Sequence, residues 1–253
     1  MLRRRSRRRW ESSVVVYGVN PVKEALKAGR VTSLDVADPS RPRLRPLVQL
    51  AEASGVMVRR RTDAQLTRSS GGHPHQGVVA EVRPSRSHTL DDLLETAGQP
   101  LLVVLDGIED PQNVGAILRT AEAAGVDGVV RQSRRAARLD GVAAKASAGA
   151  LAHLRIAEVV NIARTLETLK AAGVWTVGLD AAGSQRYDQI DLTLPTAVVL
   201  GAEGRGLRRL VRERCDWLVS IPMAGQVSSL NVSVAAGVAL FEAVRQRRGA
   251  KKP

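Results

Sequence analysis

Three short stretches of this chain gather polar and glycine residues in spacings that suit a ligand. The first, "GIEDPQNVGAILRTAEAAG" at 107–125, sets Pro111 and Asn113 where a helix begins, with Arg119 six residues after Asn113. Six residues is nearly two helical turns, so geometry alone leaves open whether Arg119 faces a ligand or solvent. The second, "GAEGRGLRRL" at 201–210, places Gly201, Gly204 and Gly206 around Glu203. Those glycines either let a ligand approach the backbone closely or simply make a turn. The third, "IPMAGQVSSLNVSVAAGVALFEAVRQRR" at 221–248, crowds Ser228, Ser229, Leu230 and Asn231 at the mouth of an amphipathic helix. Asn231 can cap that helix by accepting a hydrogen bond from its first turn. Alternatively, the free donors of the helix start hold a ligand. Neither the GxGxxG dinucleotide fingerprint nor the P-loop GxxxxGK[ST] is present, which argues against a nucleotide-binding oxidoreductase. Histidines at 73, 75, 88 and 153 and a single cysteine form no convincing ligand set, so no metal is expected.

The elements that must position these loops are strands. "LLVVLD", "GVWTVGLD", "TAVVLG" and "WLVSIPM" are apolar runs typical of strands buried on both faces. Helical patterns such as "NIARTLETLKAAG" alternate with them, which predicts a parallel sheet covered by helices over residues 101–248. Ligands in such a sheet sit beyond the carboxyl ends of the strands, where all three stretches fall. Residues 14–83 predict a smaller α/β unit. In it "VVVY", "SLDVA", "GVMVRR" and "HQGVVAEV" are strands, and "RPLVQLAEAS" is a helix. "NPVKEALKAG" is a second helix, with Asn20 as cap, Pro21 at the first position and Gly29 as stop. "HPH" at 73–75 reads as a turn. Residues 84–100 read as a polar linker with one short helix, residues 1–13 as a flexible basic arm and 249–253 as a basic tail.

Composition narrows the partners. The chain has 253 residues, 44% hydrophobic but only 2% aromatic, so its core must be aliphatic. Lysine and arginine number 38 against 25 acids, a formal charge of +13 that points to a polyanion, nucleic acid being the usual one. The arm "MLRRRSRRRW" carries six arginines with no apolar segment after it, so it reads as a phosphate-touching arm rather than a secretory signal. No apolar run approaches the roughly 20 residues of a membrane span. A lone Cys215 allows no internal disulfide and suits the cytoplasm.

"DPQNVGAILRTAEAAG", "VVLGAEGRGL" and "IPMAGQVSSLNVSVAAGVALFEAVRQR" resemble, in order and spacing, the three motifs of the SpoU (TrmH-like) RNA ribose 2′-O-methyltransferases. "YGVNPVKEAL" and "HPHQGVVAEV" are similar to the amino-terminal substrate-binding domain of the branch that methylates a guanosine of 23S ribosomal RNA. The resemblance runs from about Val14 to Arg248. It implies a SPOUT α/β-knot catalytic domain, with a deep trefoil knot in its carboxyl-terminal segment, behind a small L30e-like α/β domain. It further implies a homodimer, S-adenosylmethionine as cofactor and RNA as substrate. Cofactor contacts carry over to Gly201, Ile221 and Leu230, with Met223 and Ser229 as neighbours. The central catalytic role carries over to Arg119, and Asn113, Glu203, Ser229 and Asn231 complete the site.

Methyl transfer to a ribose hydroxyl needs the oxygen held in line with the methyl and a route for its proton. A guanidinium ordinarily stays protonated, so two roles are open for Arg119: a base in a special environment, or a clamp on phosphate and developing oxyanion. Glu203 is the easier proton acceptor, or else pairs with Arg205. Cys215, amid the charges of "RERCDW", reads as structural rather than as a nucleophile. Arg131, Arg134, Arg135 and Arg138 make "RQSRRAARLD" a candidate RNA contact. Two other readings compete with the rRNA enzyme: a tRNA ribose methyltransferase of the same family, and a non-catalytic RNA-binding protein of ribosome assembly.

Overall fold

The structure is a computed structural model that describes residues 14–83, 88–95, 98–134, 136–139 and 141–250. The basic arm and Arg135 therefore lie outside the described residues. The chain divides into two compact units, Met1–Arg86 and Ser87–Pro253.

The first unit runs β1 (Val14–Tyr17), α1 (Val19–Lys27), β2 (Val31–Val36), α2 (Arg45–Ala53), β3 (Met57–Arg60), α3 (Asp63–Ser69) and β4 (Val78–Val82). Its sheet has the order β1-β4-β2-β3, with β4 antiparallel to both neighbours and β2 parallel to β3. Val22, Leu34, Leu47, Ala51 and Val78 form an aliphatic core here, as the scarcity of aromatics required. Two local readings need correction. Asn20 does not cap α1; the helix starts two residues earlier than expected, after Gly18 at φ 92°, and the free Val19 N–H is satisfied by Gln76 Oε1 at 3.0 Å. Gly18 takes that role because a left-handed φ suits glycine. The helix α3 was not expected, although Thr62 and Gln65 form a reciprocal capping box at its start.

The second unit contains α4 (Leu90–Leu94), β5 (Leu101–Asp106), α5 (Pro111–Ala123), β6 (Gly128–Gln132), α6 (Gly141–Ala146), β7 (Ile156–Val159), α7 (Ile162–Ala171), β8 (Trp175–Leu179), β9 (Gln185–Arg186), β10 (Thr196–Gly201), α8 (Arg209–Arg214), β11 (Trp217–Ser220) and α9 (Val232–Ala250). The sheet order is β7-β6-β5-β10-β8-β11-β9, and every pairing is parallel. On β5, Leu101, Val103 and Leu105 face one apolar layer while Leu102 and Val104 face the other. That is why the run is apolar at every position rather than at alternate ones. The first layer includes Ile117 of α5 and Leu240 of α9, the second Leu166 and Leu169 of α7. Leu93 of the short helix α4 is fully buried in the second layer, so residues 88–95 pack as part of this unit.

The parallel arrangement brings the carboxyl ends of β5, β10, β8 and β11 to one edge. Asp106, Gly201, Leu179 and Ser220 end those strands there.

Candidate functional site

The glycine loop after β10 closes on itself. Gly206 N–H donates to Ala202 O at 2.8 Å, and Gly204 and Gly206 hold φ of 71° and 64°. A Cβ on Gly201 would lie 2.2 Å from Gly206 C and 2.3 Å from Leu207 N, so only glycine fits at that turn. The loop is fastened to β5 by a residue the sequence did not single out. Asp106 is fully buried, and its carboxylate accepts the Arg208 backbone N–H at 2.9 Å, Nε at 2.7 Å and Nη2 as well. A buried carboxylate is tolerated because these charge-assisted donors replace its water.

The loop after β5 is ordered by its own acid. Asp110 caps α5: its Oδ1 accepts Gln112 N–H at 3.0 Å, with Pro111 at the first helical position. The other oxygen, Oδ2, accepts from Asn113 Nδ2 at 2.8 Å and so turns the Asn113 carbonyl outward.

Asn231 then joins all three loops. Its Nδ2 donates to Asn113 Oδ1 at 3.0 Å and to Glu203 Oε1 at 2.6 Å. Its Oδ1 accepts Ser233 N–H at 2.8 Å and the Ser233 hydroxyl at 2.6 Å, capping α9. The amide is therefore a cap on one side and a bridge on the other. Glu203 is exposed and pairs with Asn231 in place of Arg205.

The loops after β10 and β11 surround a cavity of about 900 Å³. Gly201, Glu203, Ile221, Met223, Ser229, Leu230 and Asn231 all line it. Asn113 lies outside the lining but is buried directly behind Asn231. Arg119 is not brought to the cavity; it is exposed on α5 and has no hydrogen-bond or ion-pair partner among the described residues. Its neighbour Thr120 packs towards Gly237 of α9. The loop after β8 adds a wall that the sequence reading missed. Asp180 there holds Arg212 at 2.9 Å and accepts Ala182 N–H at 2.8 Å. Because β8 neighbours β10 in the sheet, its end opens on the same edge; strand adjacency, not any motif, is the signal.

The combination of the strand-end loops with the apolar Ile221, Met223 and Leu230 in one lining fits a ligand having both a flat apolar ring and polar groups. S-adenosylmethionine has that character. Among the described residues no group of three or more His, Cys, Asp or Glu side chains comes together as a metal site would require.

Two residues named from sequence sit in the frame of the fold. Arg131 lies in β6 with 7% of its surface exposed; its guanidinium donates to Ala137 O and Gln132 O and faces Glu158 at 3.8 Å. Burial lowers its pKa. It is not available to RNA, whereas Arg134 is exposed. Burial pushes the Cys215 thiol up to about 12, and its Sγ–H donates to Val211 O at 3.3 Å.

Residues 100–241 match the SpoU rRNA Methylase family, and residues 15–88 match the family described as RNA 2′-O ribose methyltransferase substrate binding. The chain is 45% identical to the 23S rRNA (guanosine-2′-O-)-methyltransferase RlmB of Yersinia pestis, over 93% of this chain and 98% of that protein. It is 47% identical to an uncharacterized tRNA/rRNA methyltransferase of Mycobacterium avium, over 97% of this chain and 82% of the relative. Among solved structures, the SpoU methyltransferase AviRb from Streptomyces viridochromogenes superposes with a TM-score of 0.80 at 31% identity, covering 94% of this chain and 91% of that one. The same enzyme in complex with the cofactor AdoMet superposes with a TM-score of 0.79 at 31% identity, covering 93% and 91%.

Proposed function

The chain belongs to the SpoU rRNA methylase family and is an S-adenosylmethionine-dependent RNA 2′-O-ribose methyltransferase; we propose that its target is a guanosine of 23S ribosomal RNA, methylated in the cytoplasm. The observation that carries the site assignment is the Asn113–Asn231–Glu203 chain of hydrogen bonds, which ties the three motif loops into one wall beside the cavity.

Bound in that cavity, S-adenosylmethionine supplies an electrophilic methyl on a sulfonium. Gly201, Ile221 and Leu230 would hold it chiefly through backbone groups, with Met223 and Ser229 beside it. Glu203 has one carboxylate oxygen anchored by Asn231, which leaves Oε2 as the acceptor for the ribose hydroxyl proton. Arg119 contributes charge: it holds a substrate phosphate and offsets the oxyanion that develops as the proton leaves.

Arg119 reaches a cavity in a homodimer. Val234 and Phe241, seven residues apart on one stripe of α9, are 51% and 50% exposed, an apolar face suited to a second copy. Thr120 packs on the same helix, so Arg119 lies near that face and would serve the partner's cavity.

The substrate is tested by methyl transfer to purified 23S ribosomal RNA, 16S ribosomal RNA and tRNA, followed by mapping of alkali-resistant ribose. Methylation of tRNA instead of 23S RNA would sink the assignment. Arg119→Ala should abolish transfer while S-adenosylmethionine affinity stays nearly intact. Mixing it with an inactive Glu203→Gln, Asn231→Ala variant should restore activity through mixed dimers. No restoration means that each copy uses its own arginine.

A further inference from the structure

The first unit carries a groove of about 640 Å³ that the methyl-transfer chemistry does not use. It is lined on one side by Arg41 and Arg43 and on the other by the 72–77 loop, which contains "HPH". The loop has a fixed shape. Gly72 and Gly77 hold φ of 80° and 81°, and Gln76, unusually for a residue with a side chain, holds φ 55°. Gln76 stays there because its side-chain oxygen accepts the Val19 N–H that begins α1.

The two histidines are set differently. His75 Nδ1 accepts Gly77 N–H at 3.1 Å, and Thr67 Oγ1 already donates to Asp63 O at 2.8 Å. Thr67 Oγ1 must therefore accept from His75 Nε2, 3.2 Å away, which fixes the ring and its tautomer. His73 is exposed and stacks on the buried Tyr17, with ring centroids 5.6 Å apart and planes 10° apart. Tyr17 thus supports one face of the imidazole and leaves the other for a partner. Arg41 and Arg43 are exposed and have no side-chain hydrogen-bond or ion-pair partner among the described residues. The Arg41 guanidinium nevertheless lies over the loop, since a Cβ on Gly77 would be 3.6 Å from its Nη1. Asp63 also lines the groove, so two cations face one acid.

A flat platform beside two uncommitted guanidiniums is what an unstacked nucleotide needs: a surface for its base and donors for its phosphate. A double helix offers no free base face to His73. We infer that this groove takes one unpaired nucleotide of the RNA substrate, with its phosphate at Arg41 and Arg43 and its base on the open face of His73. The inference rests on the RNA-methylating reading above and names the part of the RNA that the first unit selects.

The test uses the full chain with three RNAs: a fluorescein-labelled single-stranded oligonucleotide, the duplex of the same sequence, and 23S ribosomal RNA. By anisotropy, Arg41→Ala with Arg43→Ala should weaken binding of the single strand. It should also flatten the salt dependence by about 0.7 in slope, the value for one phosphate contact on a single strand. The paired lysine variant should keep the slope. His73→Ala should weaken single-strand binding roughly five-fold or more with the slope unchanged, and His73→Phe should restore it. Duplex affinity should change least. With 23S RNA the alanine variants should raise KM and leave kcat at saturating RNA as it was. Wild-type affinity and slope in the arginine variant, or failure of His73→Phe to restore binding, would overturn the inference. If the unaltered protein does not methylate 23S RNA, the proposed substrate fails, while the oligonucleotide measurements still read the groove.

Discussion

Replacing Asn231 separates two roles that one side chain combines. Asn231→Ser keeps a capping oxygen for α9 but is too short to reach Glu203 and Asn113, which Asn231 Nδ2 meets at 2.6 Å and 3.0 Å. Asn231→Ala removes cap and bridge together. A lost cap costs about 1 kcal/mol. The two bridging bonds contribute about 1–2 kcal/mol together, towards the low end because Glu203 is exposed. Asn231→Ser should therefore lose about 1–2 kcal/mol and Asn231→Ala about 2–3 kcal/mol. For a unit of this size that lowers the melting temperature by about 2–8 °C and 4–12 °C respectively. The kinetic effect should be larger than the thermodynamic one. Without the bridge the Glu203 carboxylate can swing away, and misplacement of about 1 Å can cost on the order of 100-fold in rate. Asn231→Asp is the sharpest variant. It caps α9 as well as asparagine does, yet turns a carboxylate towards Glu203 where an N–H donor stood. Single-turnover transfer on 23S RNA, with cofactor affinity by calorimetry and a thermal melt, reads all three variants. The expected order of rates is wild type, then serine and alanine, then aspartate, whereas alanine should be the least stable because it alone loses the cap. If Asn231→Ser transfers methyl at the wild-type rate, the bridge does not position the site and the reasoning fails.

The remaining expectations concern the frame around the cavity. Asp106→Asn should loosen the glycine loop, because an amide turns either its donor or only one acceptor towards Arg208; cofactor affinity and transfer should both fall, and unchanged calorimetry would refute the fastening role. Cys215 should resist thiol reagents at neutral pH in the folded protein and react readily once unfolded. Its thiol is raised to about 12, so its contribution to stability is complete below the ordinary thiol pKa and is lost as pH climbs from there towards 12; a flat melting profile over that range would contradict this. Arg131→Met should lower the melting temperature, since Ala137 O loses its buried donor, yet leave RNA affinity and its salt slope unaltered; a fall in slope would return Arg131 to the RNA surface.

What the sequence disclosed, and what it hid, follows from where each signal resides. β5 and β10 were legible because both faces of each strand meet apolar layers, so their residues leave an unbroken run. β6 and β7 were not among the strands expected. β6 ends in Arg131 and Gln132, which are buried and yet polar, and local carbonyls satisfying a guanidinium leave no trace in an apolar pattern. The start of α1 was misplaced for a related reason: its first N–H is met by Gln76, 57 residues away, and no local rule contains that distance. The missed helix α3 is the opposite case, because its capping box was written plainly at Thr62 and Gln65, but only Leu66 is buried and no apolar period drew attention to it.

The site shows the same division. The types and spacings within each loop could be read one loop at a time. That the loops meet depends on β10 lying between β5 and β8, a neighbour relation no local spacing encodes. Asp106 escaped notice because an acid at the end of an apolar strand looks like a boundary; only the fold brings Arg208 across 102 residues to it. Asn231 illustrates the consequence most directly. From sequence its two roles were alternatives, a cap or part of a ligand site. An amide has an acceptor on one side and donors on the other, and here the acceptor serves the helix while both hydrogens serve the site. Serine or aspartate would cap as well, but neither presents two donors from that position. The requirement to do both at once selects asparagine, and it places the start of α9 where one side chain reaches Asn113 and Glu203 together.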